Sequence, residues 1–144
     1  MLNTNKIKFL YSKQKLTREE LRGFEQQLNM KLPDSYTKLI QEYNGGAPEK
    51  DYFKGKWVIF NSIKYGKNPI EKTIETMKRI IPNNFFPFAH DPGGWLFCID
   101  LKQGEEYGKI YFYRLDQETE EEAIELLAES FEEFMDGLSD NPDD

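Results

Sequence analysis

The chain has 144 residues, 38% hydrophobic and 15% aromatic, enough for one core that buries about two-thirds of the extended surface. Its net charge is −7, and it holds one cysteine, Cys98, and one histidine, His90. These counts exclude an intrachain disulfide and a two-histidine metal site, and no apolar run approaches the roughly 18 residues of a membrane span. Met1–Lys6 lacks the apolar stretch of a secretory signal, so a cytoplasmic, reducing location is expected.

Thr17-Arg18-Glu19-Glu20 has the spacing of a capping box, in which the Thr hydroxyl and the Glu carboxylate each satisfy an open backbone N–H. Leu21, Phe24 and Leu28 then form the inward stripe of a helix ending near Asn29. Pro33 suits the first position of a second helix, where a missing N–H costs nothing. Tyr36, Leu39, Ile40 and Tyr43 recur on one side of it, and Asn44-Gly45 tolerates the left-handed conformation that closes a helix. Residues 47–55 read as a surface loop leading to a strand at Trp57-Val58-Ile59-Phe60. Asn68-Pro69 starts a third helix along Ile70, Ile74, Met77 and Ile81, which Pro82 ends. Strands follow around 85–89, 94–101 and 108–114, the first two joined by the tight turn Asp91-Pro92-Gly93-Gly94. A last helix from about Glu120 to Met135 places Ile124, Leu127, Ala128, Phe131, Phe134 and Leu138 on its apolar side. Residues 140–144 are expected to fray. N-terminal helices, an antiparallel β-meander and a C-terminal helix packed on one face make an α+β fold.

Three of these signals, in their order, resemble the SUKH superfamily, in its branch related to the yeast regulators of cell-wall glucan synthesis. They are Leu32-Pro33 with Tyr36, Asn44-Gly45-Gly46, and Pro87-Phe88-Ala89 with Asp91 and Gly94. Trp57–Phe60 resembles that branch's first core strand, Lys109–Tyr113 a later strand, and Ser130-Phe131-Glu132-Glu133-Phe134 its C-terminal helix. The resemblance spans about residues 17–138 and implies one Smi/Knr-like domain across 1–144, with an acidic tail at 139–144. It further implies a non-enzymatic protein-binding module. That module is either an immunity protein that neutralises a polymorphic toxin, for instance a nuclease, by direct binding, or an intracellular scaffold or regulator of cell-wall glucan synthesis.

Residues able to carry chemistry are sparse. His90 stands beside Asp91, but Asp before Pro-Gly opens a turn by bonding its own backbone. Cys98 lies in the apolar run Leu96–Ile99 with no basic neighbour, which reads as a buried, inert thiol. Gly45-Gly46 and Gly93-Gly94 lack the spacing of a phosphate loop, and the carboxylates of 118–125 lack the glycine and alternating oxygens of a calcium loop. No catalytic residue, cofactor, metal or small-molecule substrate is expected, and the acidic balance opposes nucleic acid. The expected partner is a protein. Residues 115–144 carry thirteen Asp and Glu and no Lys or Arg, whereas the first 114 hold 19 basic and 13 acidic side chains. A one-signed patch of this kind speeds encounter with a basic surface, and it equally serves as the solvated face of an amphipathic helix. The candidate partner-binding residues are Glu118, Glu121, Glu122 and Glu125 on the last helix, with Tyr52 and Phe53 as an aromatic anchor in the loop after Asn44.

Overall fold

The computed structural model describes residues 7–143; Met1–Lys6, where no secretory signal is expected, and Asp144 lie outside the described residues. The chain enters as β1 (Phe9–Lys13), a strand that its sequence pattern does not announce. Helix α1 (Arg18–Leu28) starts as the capping box requires: Thr17 Oγ1 accepts from the Glu20 N–H, and Glu20 Oε1 accepts from the Thr17 N–H. Helix α2 (Asp34–Glu42) follows Pro33, which caps it from one position outside, and buries Tyr36, Leu39 and Ile40. Tyr43 leaves the helix in an extended conformation and stays half-buried, its ring stacked on Phe9 at 4.7 Å.

The next residues differ from the sequence expectation. Asn44-Gly45-Gly46 does not close α2; it opens strand β2 (Asn44–Pro48), which pairs with β1. The cause is the buried Asn44 side chain, whose Nδ2 donates to Gln14 O and Ile63 O while Oδ1 accepts from the Ile63 N–H. Three long-range bonds outweigh the local preference for a helix cap. The expected loop at 47–55 is also partly regular. Strands β3 (Tyr52–Phe53) and β4 (Lys56–Trp57) form a small hairpin, and β5 (Ile59–Phe60) then enters the main sheet. Helix α3 (Ile70–Met77) stops short of Pro82, and Ile81 leaves it yet remains buried.

Strands β6 (Phe85–His90), β7 (Leu96–Asp100) and β8 (Ile110–Tyr113) form the expected meander. In the β6–β7 turn the Gly94 N–H donates to Asp91 O and the Trp95 N–H donates to Asp91 Oδ1. The single C-terminal helix expected from Glu120 to Met135 is instead three elements: α4 (Glu120–Ala123), β9 (Ile124–Ala128) and α5 (Phe131–Asp136). The free edge of β8 explains the break. Pairing Tyr113 with Ile124, Phe112 with Glu125 and Tyr111 with Leu126 satisfies backbone groups that a continuous helix would have left open. Ser130 then restarts the helix, its Oγ accepting from the Glu133 N–H. The expected frayed tail is tied at its base, where Ser139 and Tyr52 exchange two backbone hydrogen bonds of 2.8 and 2.9 Å.

The seven-stranded sheet runs β1-β2-β5-β6-β7-β8-β9, each neighbouring pair antiparallel. Alternation along the strands assigns its two faces. Phe86, Phe88, Phe97, Ile99, Ile110 and Phe112 join the main core with Leu21, Phe24, Tyr36, Phe131 and Phe134 from α1, α2 and α5. Phe85, Leu96, Cys98 and Tyr113 face the other way, into a smaller cluster with Ile81 and Ala123. The fold is therefore α+β, with the C-terminal helix on the main face.

Candidate protein-interaction face

The β3–β4 hairpin has an inner and an outer side. Phe53 and Lys56 face inward, and Phe53 is 3% exposed with its ring stacked on Phe134 at 4.6 Å. Phe53 is thus a core residue, and of the expected aromatic anchor only Tyr52 remains at the surface. Its cross-strand neighbour is Trp57, with ring centroids 6.2 Å apart and 45% of Trp57 exposed. The sequence reading missed Trp57 as a surface residue. The signal was present in Trp57-Val58-Ile59-Phe60, where burying Val58 and Phe60 turns Trp57 and Ile59 the other way.

Lys56 fastens the hairpin to the β8–β9 end of the sheet. Its ammonium lies 5.4 Å from the Phe112 ring centre and 3.5 Å from Glu125 Oε2. Glu125 also accepts from Arg114, whose guanidinium lies 5.2 Å from the Phe112 ring and 6.0 Å from the Trp95 ring. Burial pushes the Glu125 carboxyl up, but the Arg114 hydrogen bond and the Lys56 charge outweigh it and hold the group below its ordinary pKa. Glu125 is therefore an ion-paired strut between two cations.

The other three candidate glutamates are placed differently. Glu118 precedes α4, Glu121 and Glu122 lie within it, and all three are exposed. The four do not share one helical face as expected, because Glu125 belongs to β9. Thr119 Oγ1 caps α4 by accepting from the Glu122 N–H, and the Arg114 N–H donates to Ala123 O at 2.8 Å. This last bond sets the acidic turn beside Arg114. The structure thus presents two aromatic pairs, Tyr52 with Trp57 on the hairpin and Trp95 under Arg114 at the end of the sheet, linked through Lys56 and Glu125, with Glu118–Glu122 beside Arg114 as an acidic border.

The residues weighed for catalysis are held in the fold, Asp91 by the Trp95 backbone. His90 Nδ1 lies 2.8 Å from Asn61 Oδ1, and burial lowers the ring's pKa against the opposing charge of Asp91. Cys98 is fully buried, and burial pushes its thiol far up. Among the described residues no three His, Cys, Asp or Glu side chains gather as a ligand set for a metal, and no helix is long and apolar enough to cross a membrane.

The family model described as SMI1-KNR4 cell-wall, of the SUKH group, matches residues 18–135. The chain is also similar to the SPbeta prophage-derived uncharacterized protein YokK of Bacillus subtilis (strain 168). That match is 27% identical over 150 aligned positions, covering 88% of this chain and 76% of the relative.

Proposed function

Because the chain belongs to the SUKH family of SMI1-KNR4 cell-wall domains, we propose that it is a non-enzymatic binding module, an immunity protein that neutralises a toxin by direct contact. The observation that carries this reading is the β3–β4 hairpin, whose outer side presents the paired rings of Tyr52 and Trp57 and whose Lys56 joins it through Glu125 and Phe112 to Arg114 and Trp95. Trp, Tyr and Arg are the side chains that dominate binding energy near the centre of protein interfaces. The acidic border at Glu118, Glu121 and Glu122 adds a one-signed field that steers a basic partner, such as a toxin that itself holds phosphates. The similar protein from Bacillus subtilis is described as prophage-derived, which fits a gene carried in contests between cells. In this reading the protein acts in the cytoplasm, where the toxin must be stopped.

Identifying a toxin gene beside this one and co-expressing its product with the chain tests the proposal. The intact chain rescues growth and binds the purified toxin, and Trp57→Ala or reversal of Glu118, Glu121 and Glu122 to Lys weakens both. Unimpaired rescue by both variants removes this face from the interaction, and failure of the intact chain to bind or rescue removes the immunity reading. The cell-wall description of the family supports a second reading, a scaffold or regulator of cell-wall synthesis. Altered wall composition after deletion of the gene, in cells that also lack the toxin, favours that alternative.

A further inference from the structure

On another part of the surface, Asn44-Gly45-Gly46 builds a cleft. Gly45 and Gly46 have φ of +73° and +108°; a Cβ on Gly45 would stand 2.6 Å from Ser62 N, and one on Gly46 2.1 Å from Tyr11 O. Glycine at both places lets β1 and the Asn61–Ser62 backbone close on β2. Asn44 pins Ile63 at the same corner. Where the chain turns from Asn61 toward α3, two cavities of about 430 and 270 Å³ adjoin, and both are lined by Asn61, Asn68 and His90.

The charged side chains that line these cavities carry one sign, and an opposing charge, Asp91, stands beside His90. Lys13 and Lys67 line the larger, Lys72 lines the smaller, and no Asp or Glu lines either. Among the described residues none of these three lysines is in an ion pair, as is true of most of the surface lysines. In a chain of net charge −7, this gathers uncompensated cations over a polar floor, for Asn61 and Ser62 are 7% and 5% exposed. With Asn61 Oδ1 facing His90 Nδ1, the ring donates there and Nε2 remains as an acceptor. Thr73 adds a hydroxyl to the smaller cavity, and Met77 and Leu96 give it an apolar wall.

We propose that this cleft binds a small organic phosphate: a phosphomonoester whose body carries hydroxyl groups. A phosphomonoester holds close to two negative charges near pH 7, which suits several unpaired ammonium groups better than a monocarboxylate does. The larger cavity has the volume of a small-molecule site and holds more than a bare ion. The lysines take the phosphate oxygens, and His90 Nε2 accepts from a hydroxyl of the body. The inference stands independently of the partner-binding reading, since it uses none of the same residues.

Calorimetric titration of the full chain with a hexose phosphate, inorganic phosphate and the unphosphorylated hexose tests it. The hexose phosphate binds saturably and more tightly than inorganic phosphate, and the hexose alone does not bind. The double variant Lys13→Gln with Lys67→Gln, checked for unchanged melting, weakens hexose phosphate by about tenfold or more, as loss of charge-assisted bonds requires. His90→Gln weakens the hexose phosphate and leaves inorganic phosphate unchanged. Lys102→Gln, outside both cavities, changes nothing. Absence of saturable binding, equal affinity for inorganic phosphate, or equal weakening by Lys102→Gln overturns the proposal.

Discussion

Beneath α2 and α5, five aromatic rings (Tyr36, Phe86, Phe88, Phe131 and Phe134) are each no more than 1% exposed. They meet edge to face, with centroids 5.4 to 5.5 Å apart for Tyr36–Phe86, Tyr36–Phe131, Phe88–Phe131 and Phe88–Phe134. Tyr52 and Trp57 on the hairpin and Trp95 before β7 keep one side in solvent, with Arg114 over the Trp95 ring. A ring of the first kind has already released its water, so its contribution is spent on the fold. A ring of the second kind keeps its hydration until a partner covers it, so its contribution appears on binding. Residue type is shared between the two regions; burial decides which equilibrium the ring serves.

The largest effect that separates them is truncation of a buried ring. Phe88→Ala should cost about 3–5 kcal/mol in chemical denaturation, the range for a core aromatic. A loss below about 1 kcal/mol would break the comparison from its buried side. From the exposed side, Trp57→Ala should leave stability within about 0.5 kcal/mol yet weaken the protein partner by about 2 kcal/mol, some thirtyfold. Surface plasmon resonance beside a melting curve reads both, and the opposite pattern would make Trp57 a structural residue.

A smaller effect sharpens the contrast where charge, not burial, stabilises the fold. Hydrogen bonds from Lys64, the Thr17 N–H and Tyr65 hold the Glu20 carboxyl at about 2, against an ordinary 4.5. Its folded pKa is depressed, so its contribution is present above pH about 4.5 and disappears as pH falls through that window toward about 2. Glu20→Gln should lower stability at neutral pH and flatten the acid limb, measured by denaturation across this range. An acid limb of unchanged slope would place the stabilising charge elsewhere. The smallest effect belongs to Tyr36, whose hydroxyl is buried with no hydrogen-bond partner among the described residues. Tyr36→Phe should be neutral or stabilising by up to about 1 kcal/mol. A clear destabilisation would show that the hydroxyl, and not the ring alone, is used.

Much of this architecture is legible in the sequence. The Thr17–Glu20 box, the β6–β7 turn at Asp91 and the three strands of the meander all lie where the sequence places them. Parts of the candidate face were harder to read. Tyr52 stays half-exposed and Glu118, Glu121 and Glu122 exposed, but Phe53 turned inward and Trp57 outward, because a two-stranded ribbon alternates its faces and only one face meets Phe134. Arg114 stands beside the aromatics of its strand in the sequence, but its pairing and that of Lys56 depend on Glu125 arriving from a different strand.

The sequence by itself determined the features that bonds within a few residues decide: the starts of the first helices, the tight turn, alternation in the strands and the order of α1, α2, α3 and the β6–β8 meander. Tertiary structure alone decided the fate of Asn44-Gly45-Gly46 and of residues 120–136. Both segments have a good local alternative, a helix cap in one case and a continuous helix in the other. The alternative lost each time because a distant group had to be satisfied. Asn44 holds the Ile63 backbone, and Ile124–Ala128 closes the edge that β8 would otherwise leave open. Thr119 and Ser130, each accepting from the N–H three residues on, mark the two helix starts on either side of β9. Those caps were present in the sequence, but which of them would act depended on pairing with β8, from 11 residues away (Tyr113–Ile124) to 18 (Ile110–Ala128), whereas capping is settled within three residues.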